Sequence, residues 1–411
     1  MTEGKKRCRI APQPWMVEPA TCRLLGALSA GGVEARFVGG SVRDALLGRP
    51  IGDIDIATPA SPERVIELLE KTGIKVVPTG LTHGTITAIV PPRHFEITSL
   101  RRDVETYGRR ARVAFDADWA SDAARRDFTI NAIFLALDGA IDDPVGGLAD
   151  LRARRVRFVG DPATRIAEDV LRLLRYYRFE ARFGTGAGDL EARAACRAAA
   201  HLLPTLSGER VAQELVRLLE TPDPIAVLQM MQEDSVLEVV LPEARRLDRL
   251  RRLIEIESEA DPLLRLAALI EVDGEGAATV AARLRFSNAW RDRLCGLSRP
   301  WPLDPQADGP GQRRTLYHLG AKRYHGIALL LAAEGEMSLG RLSELLAIAG
   351  NWMPPVFPLA GRDVTALGIP PGERVGRLLA AVHEWWEEGD FTADRTRCLI
   401  YLRELAIGTP A

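Results

Sequence analysis

Residues 37–56 read FVGGSVRDALLGRPIGDIDI, a pattern that predicts a strand, a tight turn, a short helix and a second strand. The first apolar run meets a Gly39-Gly40 turn. Ser41 is well placed to cap the helix that follows, and Gly48 can end it. The pattern therefore places a helix N-terminus directly after the first strand.

The second predicted strand carries Asp53 and Asp55. Side chains two residues apart share one face of a strand, so both carboxylates project together while Ile54 and Ile56 point into the core. Adjacent carboxylates repel unless a cation lies between them, and carboxylate oxygens bind divalent metals. A Gly-Gly turn or a D-x-D pair alone is common in proteins without such a site. Their combination favours nucleotide chemistry, because glycine lets the backbone approach a triphosphate and a helix N-terminus attracts it.

The G-G-S-V-R-D and D-I-D segments resemble the signature of the nucleotidyltransferase superfamily, which includes tRNA CCA-adding enzymes and bacterial poly(A) polymerases. The resemblance implies two-metal phosphoryl transfer, with Mg²⁺ bound by Asp53 and Asp55 and pyrophosphate released. It also implies a set of triphosphate contacts at Gly39, Gly40, Ser41 and Arg43, with Asp44 bracing Arg43 or the ribose. Glu96, on a predicted strand over 94–100, is a candidate third carboxylate for the metal site. The alternative is an exposed strand glutamate.

A second signal is the string R-R-D-F-T-I-N-A at residues 125–132. Arginine forks match phosphate and ribose oxygens, and an aspartate can accept a hydrogen bond from a ribose 2′-OH. A surface arginine–aspartate pair is the alternative interpretation. The string resembles the family's ribose-recognition motif without departure, which implies that Arg126, Asp127 and Asn131 contact the nucleotide.

A third signal begins at Asp161 and Pro162, which suit the N-cap and first position of a helix, and continues as E-D-V-L-R-L-L-R over 168–175. On that helix Asp169 and Arg172 would share a face. By spacing alone, Glu168 and Arg172 also predict a routine i,i+4 ion pair that contributes about 0.3–0.5 kcal/mol.

Base chemistry gives Asp169 and Arg172 a sharper interpretation. Adenine and cytosine both present an exocyclic amine beside a ring-nitrogen acceptor, which suit a carboxylate and a guanidinium respectively. Uracil and guanine place a carbonyl oxygen against the carboxylate, a mismatch that costs roughly 1–3 kcal/mol. The E-D-x-L-R-x-x-R segment resembles the family's base-reading motif, which implies that Asp169 and Arg172 select C and A without a template. Arg175 and Arg178 are assigned to the same nucleotide site.

Composition limits the class of protein. The 411 residues carry a formal net charge of −2, so a nucleic-acid surface must arise from local arrangement. Five scattered cysteines without a C-x-x-C pair argue against a zinc site or a disulfide framework and fit a reducing compartment. The N-terminus lacks an apolar signal region, and no segment approaches the length of a membrane span. We therefore expect a soluble cytoplasmic protein with no membrane contact and no evident protein partner.

The chain is predicted to be an α+β protein, with a mixed β-sheet in an N-terminal head and only helices beyond about residue 161. Residues 101–126 are expected to form a mobile loop, and the S-G-E-R segment at 207–210 to begin a structural helix. The resemblance divides the chain into four parts, namely the catalytic head at 1–147, the neck for nucleotide bases and RNA at 148–220, the body at 221–350 and a tRNA-binding tail at 351–411.

One departure from a related group of enzymes indicates the product. Poly(A) polymerases resemble one another in a G-R-R-F-R segment after the paired aspartates, where this chain reads IKVVPTGLTHGT. No His-Asp dipeptide marks a fused phosphohydrolase domain. We therefore expect CCA addition to tRNA from CTP and ATP, with poly(A) polymerase or A-adding activity as the alternative. The intact D-x-D argues against a non-catalytic RNA-binding protein. The long helical half argues against a nucleotidyltransferase that acts on a small molecule, since a small acceptor would not need so extended a protein.

Overall fold

A computed structural model describes residues 8–81, 84–100, 102–107, 110–114 and 118–408. The chain forms two compact units, Met1–Pro242 and Glu243–Ala411. The first unit contains all the described strands and the helices of the predicted head and neck.

The strands of the first unit are β1 Arg36–Val38, β2 Ile54–Thr58, β3 Lys75–Gly80, β4 Thr85–Val90, β5 Arg93–Ser99, β6 Arg102–Tyr107, β7 Arg110–Ala114, β8 Phe134–Leu135 and β9 Ile141–Asp142. Its helices are α1 Pro19–Ala30, α2 Gly40–Leu46, α3 Pro62–Lys71, α4 Trp119–Ala124, α5 Gly147–Arg152, α6 Pro162–Glu168, α7 Leu171–Phe183, α8 Leu190–Ala199, α9 Gly208–Leu219, α10 Ile225–Glu233 and α11 Leu237–Val240. Short 3-10 turns lie at Pro14–Met16, Thr129–Asn131 and Ala200–Thr205.

Seven strands form one sheet in the order β3-β4-β5-β2-β1-β8-β9, and β6 and β7 pair separately. Within the large sheet β2 runs parallel to β5, whereas the other pairs are antiparallel. The predicted mixed sheet is therefore confirmed. The β2–β5 register sets Asp55 beside Glu96, which brings two of the predicted site residues onto neighbouring strands.

Alternation along the central strands builds the core of this unit. Ile54 and Ile56 on β2 are fully buried, as are Phe95 and Ile97 on β5 apart from traces of exposure. The residues between them therefore face the other side of the sheet. This alternation confirms the predicted core positions and leaves Asp55 on the face available to a ligand.

The prediction of a loop over residues 101–126 was wrong where the structure describes that segment. Strands β6 and β7 form an antiparallel hairpin there, and α4 follows them. Residues 101, 108–109 and 115–117 lie outside the described part. An isolated two-stranded hairpin is held by backbone hydrogen bonds, so its charged sequence shows too little apolar periodicity to predict strands.

The second unit is entirely helical in its described residues, as predicted. Its helices are α12 Leu247–Ile256, α13 Pro262–Leu269, α14 Gly274–Arg283, α15 Asn288–Leu297, α16 Gly309–Leu319, α17 Ala321–Glu334, α18 Leu339–Asn351, α19 Gly361–Thr365, α20 Glu373–Glu388 and α21 Arg395–Gly408. Trp386 on α20 is buried in the core that α19, α20 and α21 share, which fits a packing role. None of the helices that the structure describes combines the length and the apolar character needed to cross a bilayer.

Candidate active site

The turn between β1 and α2 brings the backbone against the paired aspartates. Gly39 has a φ of 72°, which L side chains rarely adopt. A Cβ added to Gly39 would lie 3.0 Å from Oδ2 of Asp55. The Gly40 backbone N–H also acts on the Asp55 carboxylate and lowers its pKa. Glycine is therefore required at position 39 both by its conformation and by the approach of the carboxylate.

Ser41 does not cap α2, so that prediction was wrong. Gly39 occupies the N-cap position, and Ser41 lies inside the first turn of the helix. The buried Ser41 hydroxyl donates to the carbonyl of Val38 over 3.0 Å. The positive φ of Gly39 turns the chain sharply from strand to helix, so the helix begins before a serine cap is reached. Ser41 is thus oriented toward the strand that precedes it.

Burial and mutual repulsion perturb the carboxylates of this site. Asp53 precedes β2 by one residue and is exposed, whereas Asp55 is half-buried within the strand. Burial, followed by the charges of Glu96 and Asp53, raises the pKa of Asp55 to about 6. Arg126 and the Gly40 N–H act in the opposite direction. Asp55 therefore lies in a field of like charges that a cation would relieve.

The donor set fits a hard divalent cation. Carboxylate oxygens are the preferred protein ligands of Mg²⁺, which usually takes one or two carboxylates together with substrate phosphates. Within the described residues, no group of three or more His, Cys, Asp or Glu side chains is assembled into a metal site. Asp53 and Asp55 are thus a pair of carboxylates, and their role as metal ligands stays a prediction. Glu96 is exposed beside Asp55, and its role as a third carboxylate stays a prediction.

Arg43 is buried between a carboxylate and an amide. Its Nε and Nη2 each donate to Asp44 over 3.0 Å, and its Nη1 donates to Oδ1 of Asn131 over 2.6 Å. The Phe183 ring lies 4.0 Å from the guanidinium carbon. The predicted bracing of Arg43 by Asp44 is confirmed. Since three of its nitrogens are engaged, the geometry favours a bracing role for Arg43 over direct phosphate binding.

Asp127 joins this group to helix α7. Its Oδ1 accepts from Asn131 Nδ2 over 3.0 Å, and its Oδ2 accepts from Arg175 Nε over 2.9 Å. Burial acts to raise the pKa of Asp127, but the Arg175 charge and hydrogen bonds from Asn131, Arg175 and the Phe128 N–H lower it to about 2. Four predicted residues, Arg43, Asn131, Asp127 and Arg175, therefore form one continuous network.

Asp122 is a site residue that the sequence interpretation missed. Its side chain is only 1% exposed and accepts from Arg125 Nε over 2.7 Å and from Arg126 Nη2 over 2.8 Å. The Nη1 of Arg126 would lie 3.9 Å from a Cβ at Gly39, which places this guanidinium beside the aspartate pair. Arg125 and Arg126 follow Asp122 by three and four positions, a spacing at which helical side chains meet. This spacing is the sequence signal that could have identified Asp122 as their partner.

The base-reading segment is not one continuous helix, so the prediction that Asp169 and Arg172 share a helical face was wrong. Helix α6 ends at Glu168, and Asp169 has an extended backbone with a φ of −152°. The Asp169 carboxylate accepts from the Leu171 N–H over 3.2 Å at the start of α7. Aspartate competes with helical hydrogen bonding in this way, which accounts for the break.

Asp169 and Arg172 have separate partners. Arg172 Nη1 contacts Glu168, the predicted i,i+4 pair, and the Arg165 carbonyl. Asp169 accepts from Arg210 Nη2 over 2.7 and 3.0 Å. No local pattern predicts the Arg210 contact, because Asp169 lies between α6 and α7 whereas Arg210 lies on α9, 41 positions later in the chain. Asp169 and Arg210 line a cleft of about 380 Å³.

Arg178 lies apart from these residues. Its Nε donates to Oε2 of Glu214 on α9 over 2.5 Å, and its side chain is buried. Arg175 Nη1 is 3.9 Å from the other oxygen of Glu214. Arg178 therefore connects α7 to α9 and lines a different cleft from that of Asp169.

Comparison with known proteins gives consistent results along the chain. Residues 35–157 match a family described as the poly A polymerase head domain, and residues 189–247 match the probable RNA and SrmB-binding site of polymerase A. The mitochondrial CCA tRNA nucleotidyltransferase 1 of Mus musculus is 33% identical over 388 residues, covering 90% of this chain and 87% of the relative. A CCA-adding enzyme of Anoxybacillus flavithermus is 40% identical over 222 residues, about half of each chain. The Bacillus stearothermophilus CCA-adding enzyme in complex with CTP superposes with a TM-score of 0.80 at 28% identity, covering 96% of this chain and 98% of that one.

Proposed function

Since the chain belongs to the family of CCA tRNA nucleotidyltransferases, we propose that it adds C, C and A to the 3′ end of tRNA. The nucleotides come from CTP and ATP, and no nucleic-acid template is used. The observation that carries the proposal is the approach of the Gly39 turn to Asp55, where a Cβ would meet the carboxylate at 3.0 Å. That approach aligns a helix N-terminus with a carboxylate pair, as nucleotidyl transfer requires.

Nucleotidyltransferases of this family use divalent metal ions. We propose Mg²⁺ at Asp53 and Asp55, where it would activate the tRNA 3′-OH and neutralise the triphosphate as pyrophosphate leaves. Glu96 extends the negative field beside Asp55 and is proposed as the third carboxylate.

The protein's own groups hold the nucleotide in place. Backbone N–H groups at the start of α2 face the triphosphate, and Gly39 allows it to approach. Ser41 and Arg43 support that turn from within, since the serine hydroxyl bonds to Val38 and the guanidinium is braced by Asp44. Arg126, held by Asp122, is a positive group beside the carboxylates.

Base choice is assigned to Asp169 and Arg172. A carboxylate has acceptor capacity for about four hydrogen bonds, so Asp169 can accept the base amine while Arg210 holds it. The described contacts of Arg172 use Nη1, which leaves its other edge for the base ring nitrogen. Uracil and guanine would set a carbonyl oxygen against Asp169 and leave both acceptors unsatisfied.

The ribose is assigned to Asp127 and its neighbours. Burial raises the pKa of Asp127, but Arg175 and Asn131 outweigh that effect and lower the pKa to about 2. Asp127 is therefore ionised at neutral pH. Asn131 and Arg175 fix the orientation of its carboxylate, which is a suitable acceptor for a 2′-OH. The described contacts of Arg178 give it a supporting role on α7.

The four-part division into head, neck, body and tail, with bounds at 147, 220 and 350, is also proposed. The neck and tail would bind tRNA. We propose a cytoplasmic location, which is supported by five free cysteines without a disulfide between them.

The deciding experiment is incorporation with Mg²⁺ and a tRNA that ends at the discriminator base. Growth by three nucleotides only when CTP and ATP are both present is expected. Long A tails from ATP alone would indicate a poly(A) polymerase, and activity confined to tRNA ending in CC would indicate an A-adding enzyme. Asp53→Asn is the matched inactive control, and no incorporation by the unmodified chain would refute the proposal.

A further inference from the structure

Arg165 is a buried arginine on α6 that none of the predicted site contacts includes. Its side chain is only 9% exposed, and its helix ends at Glu168, directly before Asp169. The contacts of this side chain extend in two directions. One set reaches the segment that carries Asp127, and the other reaches Arg172.

One end of the Arg165 guanidinium holds the backbone that leads into Asp127. Its Nη2 donates to the carbonyl of Arg125 and, over 2.6 Å, to the carbonyl of Arg126. The Arg126 carbonyl belongs to the peptide bond that joins this residue to Asp127. Arg165 therefore restrains the main chain at the residue that is assigned to the ribose.

The other end of the same guanidinium holds Glu168. Nη1 of Arg165 donates to Oε2 of Glu168 over 2.6 Å. That carboxylate oxygen also accepts from Nη1 of Arg172, and this Nη1 donates in addition to the backbone carbonyl of Arg165 over 2.9 Å. Arg172 is thus held by both members of the Arg165–Glu168 pair.

The two terminal nitrogens of Arg165 make all of these contacts. Its Nε is buried and has no hydrogen-bond partner among the residues that the structure describes. A guanidinium is planar and rigid, so the positions of its two ends are fixed relative to each other. One rigid group therefore sets Glu168 relative to the backbone at Asp127.

Glu168 is shared by two positive charges. Burial, followed by the charge of Arg172, lowers the pKa of Arg165, and the Glu168 charge opposes that shift. Like charges that meet at one carboxylate repel each other, so neither guanidinium is free to move without affecting the other. The orientation of Arg172 consequently depends on where Arg165 holds Glu168.

We propose that Arg165 is a positioning residue that sets the Arg172 guanidinium against the base while it fixes the backbone at Asp127. The inference rests on the proposed function, in which Arg172 donates to the ring nitrogen of cytosine or adenine. A hydrogen bond weakens steeply when its donor turns away, whereas a charge acts in every direction. Loss of the Arg165 fork should therefore reduce how strictly the ring nitrogen is read.

Nucleotide analogues separate the two base contacts. 3-Deaza-CTP carries C–H in place of the ring nitrogen and so removes the acceptor for Arg172. The triphosphate of pyrimidin-2-one riboside lacks the exocyclic amine and so removes the donor for Asp169. The ratio of kcat/KM for CTP to that for each analogue is measured during addition to tRNA that ends at the discriminator base. The full chain is tested unmodified and as Arg165→Lys and Arg165→Gln.

Arg193→Lys is the matched control. The Arg193 side chain is 17% exposed and joins α8 to the end of α10 through its contacts with Glu233 and Asp234. The control therefore loses a comparable arginine fork in the first unit at a place outside the predicted nucleotide contacts. Urea unfolding establishes that each variant is folded under the assay conditions, and Arg165→Lys carries the comparison if the glutamine variant does not fold.

The unmodified protein is expected to prefer CTP over 3-deaza-CTP by about 10–100-fold, the range for a hydrogen bond from a charged donor. Arg165→Lys keeps the charge but not the rigid fork, so this ratio should fall at least about threefold. It should fall further in Arg165→Gln. The ratio for the pyrimidin-2-one analogue should stay at the unmodified value in both variants, and Arg193→Lys should change neither ratio.

Two results in the variants would overturn the inference alone. An unchanged ratio for 3-deaza-CTP would make Arg165 a stabilising contact only, and an equal fall of both ratios would show that it loosens the whole site rather than Arg172. Two results in the unmodified chain would refute the proposed function together with the inference. These are equal use of CTP and 3-deaza-CTP, and no extension of tRNA.

Discussion

Replacing Asp122 with asparagine should destabilise the protein, because it weakens the contacts that hold Arg125 and Arg126. The Asp122 carboxylate is 1% exposed and contacts both Arg125 and Arg126, whose side chains are 17% and 16% exposed. Removing one partner from a buried ion pair costs about 3–5 kcal/mol. Asparagine keeps one acceptor oxygen, so we expect the free energy of unfolding to fall by roughly 2–3 kcal/mol.

The same substitution should affect chemistry through Arg126. This guanidinium opposes the raised pKa of Asp55 and lies beside Gly39, so its displacement perturbs the place where the triphosphate and carboxylates meet. We expect kcat for CTP incorporation to fall by about 10–100-fold, as is typical when groups that position a reacting centre are disturbed. The KM for tRNA should change little, since the Asp122 side chain is only 1% exposed and so cannot contact the RNA directly.

Asp118→Asn is the matched control on the same helix. Asp118 is the exposed N-cap of α4 and accepts from the Ser121 N–H over 2.7 Å, whereas Asp122 is the buried carboxylate that accepts from Arg125 and Arg126. This control should leave the free energy of unfolding in urea nearly unchanged, because asparagine caps a helix about as well as aspartate, and it should leave kcat near the unmodified value. If both variants lost the same stability and the same kcat, Asp122 would act only through the helix, and the reasoning would be refuted.

Three further outcomes are expected from named contacts. Asp55→Asn should raise the free energy of unfolding of the metal-free protein by up to about 3 kcal/mol above pH 6, because the pKa of Asp55 is raised from 3.8 to about 6; the gain should vanish below about pH 4 in urea titrations. Asp127→Asn should lower the free energy of unfolding by roughly 2 kcal/mol at pH 7, because a pKa lowered from 3.8 to about 2 stabilises the fold above pH 4; the difference between the two proteins should shrink toward pH 2. Arg210→Ala should increase UTP incorporation relative to CTP in single-nucleotide assays, since Asp169 loses the side chain that holds it; unchanged discrimination would contradict that role.

The head of the fold was largely predictable because its signals are local. The strand predicted over 94–100 matches β5 at Arg93–Ser99, and the D-x-D spacing correctly set Ile54 and Ile56 in the core. Helix α6 begins at Pro162 behind an Asp161 cap, as predicted. Such features depend on neighbours within a few positions, so hydropathy and capping residues are sufficient to predict them.

Backbone strain and side-chain competition explain the local errors. Ser41 is a good cap residue, but the positive φ of Gly39 starts α2 before it. Asp169 stands in a helical pattern, yet its carboxylate bonds to the Leu171 N–H and ends the preceding helix. At Ser41 the conformation of Gly39 overrides the residue's general preference, and at Asp169 a single hydrogen bond does so. Neither feature can be predicted from the periodicity of hydrophobic residues.

The remaining features of the site depend on long-range partners. Arg43 reads as a phosphate ligand when only G-G-S-V-R-D is considered, because an arginine beside a helix N-terminus suits an anion. The structure commits it instead to Asn131, 88 residues later, and through Asp127 to Arg175 on another helix. The G-G-S-V-R-D, R-R-D-F-T-I-N-A and E-D-V-L-R-L-L-R segments are therefore joined in one hydrogen-bonded network, whereas Asp169 and Arg172 are held by other partners. In the proposed function, this network orients the ribose contacts before the nucleotide binds, which would reduce the entropy lost on binding.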